Sequence, residues 1–266
     1  MQFDDIYTPI SEKLDLIEEE LKKVGQNLST NYLQEIIGYF FSIPGKRLRP
    51  ALALLSAGMI NNNLLKSKND QLFQFALGLE LMHSASLIHD DVLDGDLFRR
   101  GQSTLNNIYG KKVAVLAGDV VYSLAFSTFS HALPGEYEQL IVELTEYMCT
   151  AEVIQAQEHK PTLDIYFDII KGKTASLMSV SCKIAAALAG ATKEQISSLE
   201  AFGLNLGLAY QIMDDCKDND IDLQLNISEN DAQFYAAKAI TSLESFEDSS
   251  YKTSLLNLVD FIIQKN

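Results

Sequence analysis

Apolar positions recur every three to four residues along almost the whole chain, a period that predicts helices. In "SEKLDLIEEELKKV", Leu14, Ile17, Leu21 and Val24 share one face and charged side chains take the other. The stretch from Asp70 to Asp94 is different. Leu72, Phe75, Leu77, Leu79, Leu81, Ala85, Leu87 and Ile88 are apolar nearly all round, which predicts a buried central helix. "KKVAVLAGDVVYSLAFSTFSHAL", "YEQLIVELTEYMCTAEVIQAQEH", "KTASLMSVSCKIAAALAG" and "QISSLEAFGLNLGLAYQIMDD" predict further helices. "AQFYAAKAITSLESF" and "YKTSLLNLVDFIIQ" predict two shorter ones. Gly110, Gly135 and Gly190 fall at the junctions, where helices end, and Pro44, Pro134 and Pro161 mark breaks. Hairpin signals such as Asn-Gly between alternating strands are absent. No repeat, linker or low-complexity stretch interrupts the pattern. The expectation is an all-α protein: one domain over residues 1–266, built as an antiparallel helical bundle of about ten helices.

Composition narrows the functions open to such a bundle. The net charge of −15 speaks against nucleic acid and against strong attraction to anionic lipid. A hydrophobic content of 47% excludes a disordered chain. Cys149, Cys182 and Cys216 are odd in number and lack CxxC spacing, so a reducing compartment, the cytoplasm, is expected. The start, "MQFDDIYTPI", has neither the basic residues nor the apolar core of a signal peptide. No apolar run reaches the ~18 residues that span a bilayer, so no transmembrane segment is expected.

The chemistry gathers at "SLIHDDVLDGDLFRRG". Asp90 and Asp94, four apart, share a helix face, and Asp91 lies between them. Two unpaired carboxylates about 4 Å apart repel by ~4 kcal/mol at an effective dielectric near 20. A positive partner must offset that. A solvated helix end paired with Arg99 and Arg100 is one answer. The apolar run before the cluster favours another, carboxylates at the rim of an apolar wall holding a hard cation. Mg²⁺ takes one or two carboxylates and fills its other positions with water and phosphate oxygens. The adjacent arginines would grip the same phosphates by bidentate contacts.

"YQIMDDCKDND" repeats the arrangement with Asp214, Asp215 and Asp218, again closing an apolar helix. Two such clusters half a chain apart could face each other across a bundle and hold several Mg²⁺ around one diphosphate. "PGKRLRP" supplies Lys46, Arg47 and Arg49. It is an ordinary basic loop or, joined by His83, Arg99 and Arg100, an anion pocket that needs no metal. "IIKGKTASL" puts Lys171, Lys173 and Thr174 at an expected helix start, where free N–H groups favour phosphate; an exposed basic turn would look the same. Gln211, one turn before Asp214, is a cavity amide or a packed one. Glu80 and His83 match half of a di-iron ExxH site, but "AQEHKP" supplies no second half. His89 fits a structural role, orienting the cluster beside it.

Taken together, "GKRLRP", "HSASLIHDDVLDGDLFRRG", "KTASLMSVSC" and "YQIMDDCKD" resemble, in order, the motifs of trans-type isoprenyl diphosphate synthases, the polyprenyl synthetases of medium and long chain. The resemblance runs from about Gly45 to Asp218. It implies the isoprenoid synthase fold, a helical bundle around a deep apolar cavity, usually as a homodimer. It implies an enzyme that condenses isopentenyl diphosphate with an allylic diphosphate, with roughly three Mg²⁺ ions per active site. By this resemblance Asp90, Asp94 and Asp214 are metal ligands and, with Lys173, catalytic. Arg99, Lys173, Thr174 and Gln211 would contact the allylic diphosphate; Lys46, Arg49, His83 and Arg100 would form the isopentenyl diphosphate pocket. Ala85 and Ser86, small residues one turn before Asp90, stand where short-chain members carry a bulky aromatic, which implies a product longer than fifteen carbons. Their smallness would also serve the close approach of another helix.

One departure stands out. The family follows its second aspartate motif with a Gly-Lys-Pro element, an Asp-Leu and a further basic residue. Here "DDCKDNDIDLQLNISENDAQFYAAKAI" leads almost directly to the expected C-terminal helices. Either the lid is lacking or a segment is missing from the sequence, and helices that match the family on both sides favour the second. Two other functions compete. A terpene cyclase also uses DDxxD but carries an Asn/Ser/Glu triad as its second metal site and has no use for "GKRLRP". A weakly active subunit of a two-component synthase would be expected to lack one or both aspartate motifs.

Overall fold

The computed structural model describes residues 3–66, 71–157, 161–218 and 225–264. Among them the helices are α1 Phe3–Tyr7, α2 Ser11–Val24, α3 Asn31–Phe41, α4 Leu48–Ile60, α5 Gln71–Leu93, α6 Leu105–Tyr109, α7 Lys111–Ala132, α8 Gly135–Gln157, α9 Leu163–Ile170, α10 Ser176–Leu188, α11 Lys193–Asp218, α12 Glu229–Ser242 and α13 Ser250–Gln264. Eleven of these have eight residues or more, against the ten or so expected. The chain divides into two compact units. One, the α5 unit, comprises Ser11–Pro50 and Lys68–Leu133; the other, the α11 unit, comprises Met1–Ile10, Ala51–Ser67 and Pro134–Asn266.

In the α5 unit the all-round apolar helix is α5, as expected, and it packs chiefly along α7 and against α2. Ile17 and Leu21 of α2 are fully buried, and Lys13 lies with its ammonium 5.6 Å from the centre of the Phe73 ring. One short hairpin forms without such a signal. β1, Phe98–Arg99, pairs antiparallel with β2, Gln102–Ser103. The two linking residues, Arg100 at φ 52° and Gly101 at φ 77°, both take the left-handed backbone of a type I′ turn. Two-residue strands are too short to show alternation, so the apolar pattern carries no sign of them. Among the described residues α7 is the one helix long and apolar enough to cross a membrane by length and composition alone, a test that buried core helices also meet.

In the α11 unit, α11 packs against α10 and α12, and α13 packs against α11, α12 and α1. Thr162 caps α9 by accepting the Ile165 N–H, and the Asp231 carboxylate accepts the Ser228 N–H at the start of α12. Gly190, at φ 82°, closes α10 as expected, whereas Gly135 opens α8. Lys171–Ala175 is a π-helical turn that joins α9 to α10 without a break. The expected helix start at "IIKGKTASL" is therefore overturned. Its N–H groups lie inside a continuous helix and bond to preceding carbonyls, so they offer no free donors to phosphate.

Candidate active site

In the α5 unit the first aspartate cluster closes α5. The helical period turns Asp91 inward while Asp90 is half-buried and Asp94 exposed. Asp91 is 3% exposed and accepts a bond from Arg99 Nε at 2.6 Å. Burial pushes its carboxyl above the ordinary range, against the opposing pull of Arg99. The turn after it is held by Asn106, whose Nδ2 donates to the Asp91 and Asp96 carbonyls at 3.2 and 2.9 Å, and by Thr104, whose hydroxyl donates to the Asp96 carbonyl. His89 reaches α7 rather than the cluster beside it: its Nε2 lies 3.1 Å from the Val115 carbonyl and 3.4 Å from Asp119.

The basic loop before α4 is braced against this turn. Arg100 Nη1 donates to the Pro44 carbonyl at 2.9 Å, and Tyr39 donates to the Ser103 carbonyl at 2.8 Å. A Cβ on Gly45 would come within 2.7 Å of Arg100 Nη1 and 2.8 Å of Arg47 Nη1, so a larger residue there would have to displace those guanidinium groups. Arg47, at φ 49°, is 9% exposed and lies between Glu18 at 2.7 Å and Glu80 at 2.6 Å. Burial works against its charge, but the two carboxylates outweigh that and raise its pKa. A cavity of about 30 Å³ is lined by Tyr39, Arg47, Glu80, Asp91, Arg99 and Arg100 among others. Arg49 is buried, Lys46 exposed and His83 half-buried. The His83 imidazole is held well below its ordinary range, first by burial and then by Arg49, Arg100, Arg99 and Arg47. Arg49 and Arg100 thus act on the His83 ring beside Arg99 and Arg47, which are paired with carboxylates.

In the α11 unit the second cluster has the same inner logic. Asp214 is exposed, while Asp215 accepts on both oxygens, from Tyr166 OH at 2.7 Å and from Gln211 Nε2 at 2.7 Å. Gln211 Oε1 in turn accepts from Thr174 Oγ1 at 2.8 Å. Lys173 donates to Gln155 at 2.6 Å and pairs with Glu152 at 2.9 Å. The Tyr166 phenol is 8% exposed, and burial followed by its bond to Asp215 pushes its pKa far above the ordinary range. The Asp218 side chain lies outside the described residues, as do residues 219–224, where the missing lid was expected.

A sequence profile of the polyprenyl synthetase family matches residues 30–225. The chain belongs to the polyprenyl synthetase family. It is 33% identical to the geranylgeranyl diphosphate synthase of Sulfolobus acidocaldarius, over 69% of this chain and 57% of that protein. It is 34% identical to solanesyl-diphosphate synthase 1, mitochondrial, of Oryza sativa, over 77% and 53%. It is 30% identical to heptaprenyl diphosphate synthase component 2 of Bacillus subtilis, over 82% and 62%. The chain thus spans little more than half the length of several curated relatives it matches. Among solved structures, the polyprenyl synthase from Caulobacter crescentus CB15 complexed with calcium and isoprenyl diphosphate superposes with a TM-score of 0.86 at 22% identity, covering 98% of this chain and 97% of that one. The fold is the isoprenoid synthase fold.

Within this chain the α5 unit carries Asp90, Asp94, Lys46, Arg49, His83, Arg99 and Arg100, and the α11 unit carries Asp214, Lys173, Thr174 and Gln211. In the first set, Arg49, Arg99 and Arg100 all act on His83. In the second, Thr174 and Gln211 touch, while Lys173 turns to Glu152 and Gln155. Ala85 is fully buried, and the Ser86 hydroxyl donates to the His83 carbonyl. The half-site reading of Glu80 is excluded, because its carboxylate holds Arg47. The carboxylates fit Mg²⁺. No three His, Cys, Asp or Glu side chains gather at one point among the described residues, but two outward carboxylates with water and phosphate are what that ion takes. Sequence reasoning missed Glu18 and Glu80 as partners of Arg47, and Tyr166 as the partner of Asp215. No local signal marks either, since the partners are 33 and 49 residues apart for Glu80–Arg47 and Tyr166–Asp215.

Proposed function

We propose that the protein is a prenyltransferase that condenses isopentenyl diphosphate with an allylic diphosphate, head to tail, into an all-trans polyprenyl diphosphate longer than fifteen carbons. The observation that carries this reading is the shared build of the two aspartate clusters in a chain of this family. In each, the middle aspartate, Asp91 or Asp215, is engaged by internal hydrogen bonds, and the first faces outward or stands half-buried. The inner residue braces the helix end, and the outer one can then serve as a ligand.

In this reading Asp90, Asp94 and Asp214 hold Mg²⁺, roughly three ions, which supplies charge neutralisation for the departing diphosphate. Arg99 and Lys173 bind the allylic diphosphate, with Lys173 leaving Glu152 for the substrate. Lys46, Arg49, Arg100 and neutral His83 bind isopentenyl diphosphate. The allylic C–O bond breaks with its electron pair on diphosphate, and the isopentenyl double bond attacks the resulting cation. The proton then lost passes to diphosphate, so no protein base is required. An apolar cavity shields the cation from water. Ala85 and Ser86, without bulk, let the growing chain pass.

The whole of residues 1–266 is proposed to act as one domain, in the cytoplasm and as a homodimer. Ile108, Val115 and Leu116 of α6 and α7 are large exposed apolar side chains that such a partner would cover. A second reading, a subunit of a two-component synthase, is favoured by the relative named component 2. One incubation tests both readings: purified protein with Mg²⁺, isopentenyl diphosphate and an allylic primer, products separated by chain length. Elongation beyond fifteen carbons is expected. Cyclised hydrocarbon, or no product without a second polypeptide, would overturn the first reading.

A further inference from the structure

We propose that the protein binds an internal water molecule between Arg47 and Glu80, behind the basic loop, and that this water completes the hydrogen bonding of both side chains. Arg47 Nη2 and Glu80 Oε2 are buried and meet no hydrogen-bond partner among the described residues. One is a charged donor, the other a charged acceptor. Buried polar atoms of a native fold are almost always bonded, to protein or to ordered water. Arg47 is 9% exposed and Glu80 4%. Both line the cavity of about 30 Å³ in the α5 unit, which has room for one or two water molecules.

The two side chains do not satisfy each other fully. Arg47 gives Nε to Glu18 at 2.7 Å and Nη1 to Glu80 Oε1 at 2.6 Å. The guanidinium is a rigid fork, so sliding it until both Nη groups meet Glu80 would draw Nε away from Glu18. Nη2 must find its partner elsewhere. A water can accept from Nη2 and donate one proton to Glu80 Oε2. Ser84, one turn beyond Glu80 on α5, is 2% exposed and lines the same cavity, so its hydroxyl can accept the second proton. Three partners is the usual number for internal water.

The charges of the wall speak against an ion. Arg47, Arg99 and Arg100 repel a cation, and Glu80 and Asp91 repel an anion. With Glu18 on Arg47, three positive groups stand against three negative ones. A neutral molecule that donates and accepts at once fits this wall, and at this size it is water. The fold also keeps the walls apart. Glu80, Ser84, Leu87 and Asp91 recur at helical spacing and form the α5 side. Tyr39 of α3 donates to the Ser103 carbonyl at 2.8 Å, and Arg100 donates to the Pro44 carbonyl at 2.9 Å. These bonds pin the hairpin to α3 and to the basic loop, so the cavity does not collapse onto Nη2 and Oε2.

With water on Nη2, the Arg47 guanidinium is held at all three nitrogens. In the prenyl-transfer reading this steadies the loop that carries Lys46 and Arg49 toward isopentenyl diphosphate; the water itself does not depend on that reading. Crystals of the wild-type protein test it, native and soaked in bromide, at a resolution that shows ordered water. A water peak is expected about 2.7–3.2 Å from both Arg47 Nη2 and Glu80 Oε2, with no anomalous bromide signal there. A bidentate Arg47–Glu80 pair, an empty cavity or a bromide peak overturns the inference. Magnetic relaxation dispersion of the solvent counts long-lived internal waters in solution. Arg47→Met combined with Glu80→Leu removes the donor and the acceptor, and at least one fewer such water is expected than in wild type. An equal count overturns the inference. If the double variant fails to fold, the wild-type crystals decide. Neither measurement involves turnover, so failure of the prenyl-transfer reading would leave this result standing.

Discussion

Replacing Glu80 by Gln tests the ion triad at its most buried point. Glu80 is 4% exposed and meets Arg47 Nη1 at 2.6 Å, while Glu18, on the outer side, meets Arg47 Nε at 2.7 Å. Breaking a buried pair from one side costs about 3–5 kcal/mol, because the remaining charge stays buried without compensation. Glu18 keeps part of that compensation, so a loss at or just below the lower end, roughly 2–3 kcal/mol, is expected. For a chain of this size each kcal/mol moves Tm by roughly 2–4 °C, which places the loss between about 4 and 12 °C. Arg47 also sits at φ 49° between Lys46 and Arg49, so a loosened Arg47 lets that loop relax. KM for isopentenyl diphosphate should rise while KM for the allylic substrate holds. Replacing the pair together, Arg47→Met with Glu80→Leu, should cost less stability than Glu80→Gln alone, since the carboxylate left behind, Glu18, is partly exposed and lies 3.9 Å from Lys22. Thermal melting followed by circular dichroism, with steady-state kinetics on the same preparations, supplies both readouts. A Tm within about 1 °C of wild type, or a double variant that loses as much as the sum of its parts, would refute the reasoning.

The remaining predictions are briefer. Asp90→Ala and Asp214→Ala should each lower turnover at least about a hundredfold without unfolding, and excess EDTA should abolish it; full turnover in EDTA would remove the metal from the account. Lys46→Ala and Arg49→Ala should raise KM for isopentenyl diphosphate roughly ten- to a hundredfold, the worth of a hydrogen bond to a charged group; a loss confined to the allylic substrate would mean that the two pockets are assigned backwards. His83 is held neutral in the fold, so as pH falls through about 6.5 the unfolded chain gains a proton that the folded one refuses, and stability falls. His83→Gln should therefore lose less Tm than wild type between pH 7 and pH 5, and parallel melting profiles would contradict this. Ala85→Phe should shorten the product; an unchanged chain-length distribution in an active variant would show that α5 does not limit the chain at this point.

The helical period and the aspartate clusters are legible in the sequence because both are local. Apolar spacing over three and four residues places helix faces without reference to anything distant, and α5, α7, α8, α11 and α13 lie close to where it puts them. The same period separates Asp90 and Asp94 from Asp91 by rotation alone, so spacing suffices to tell the inward aspartate from the other two. Spacing does not decide what each inward group meets. By sequence Glu80 looks like half a metal site; in the fold it holds Arg47, 33 residues away. By sequence Asp215 looks like one more carboxylate; in the fold it accepts from Tyr166, 49 residues away. "KGKTA" carries no cap that announces a π turn, and its one glycine, Gly172, does not break the helix; the expected helix start there fails because packing against α8 and α11, not local propensity, decides where the helix widens. The sequence by itself determined the helices, their apolar faces and the candidate residues for metal and phosphate. Only the tertiary structure decided which of those charges are committed to each other, because a salt bridge or hydrogen bond between distant residues depends on where the fold brings them.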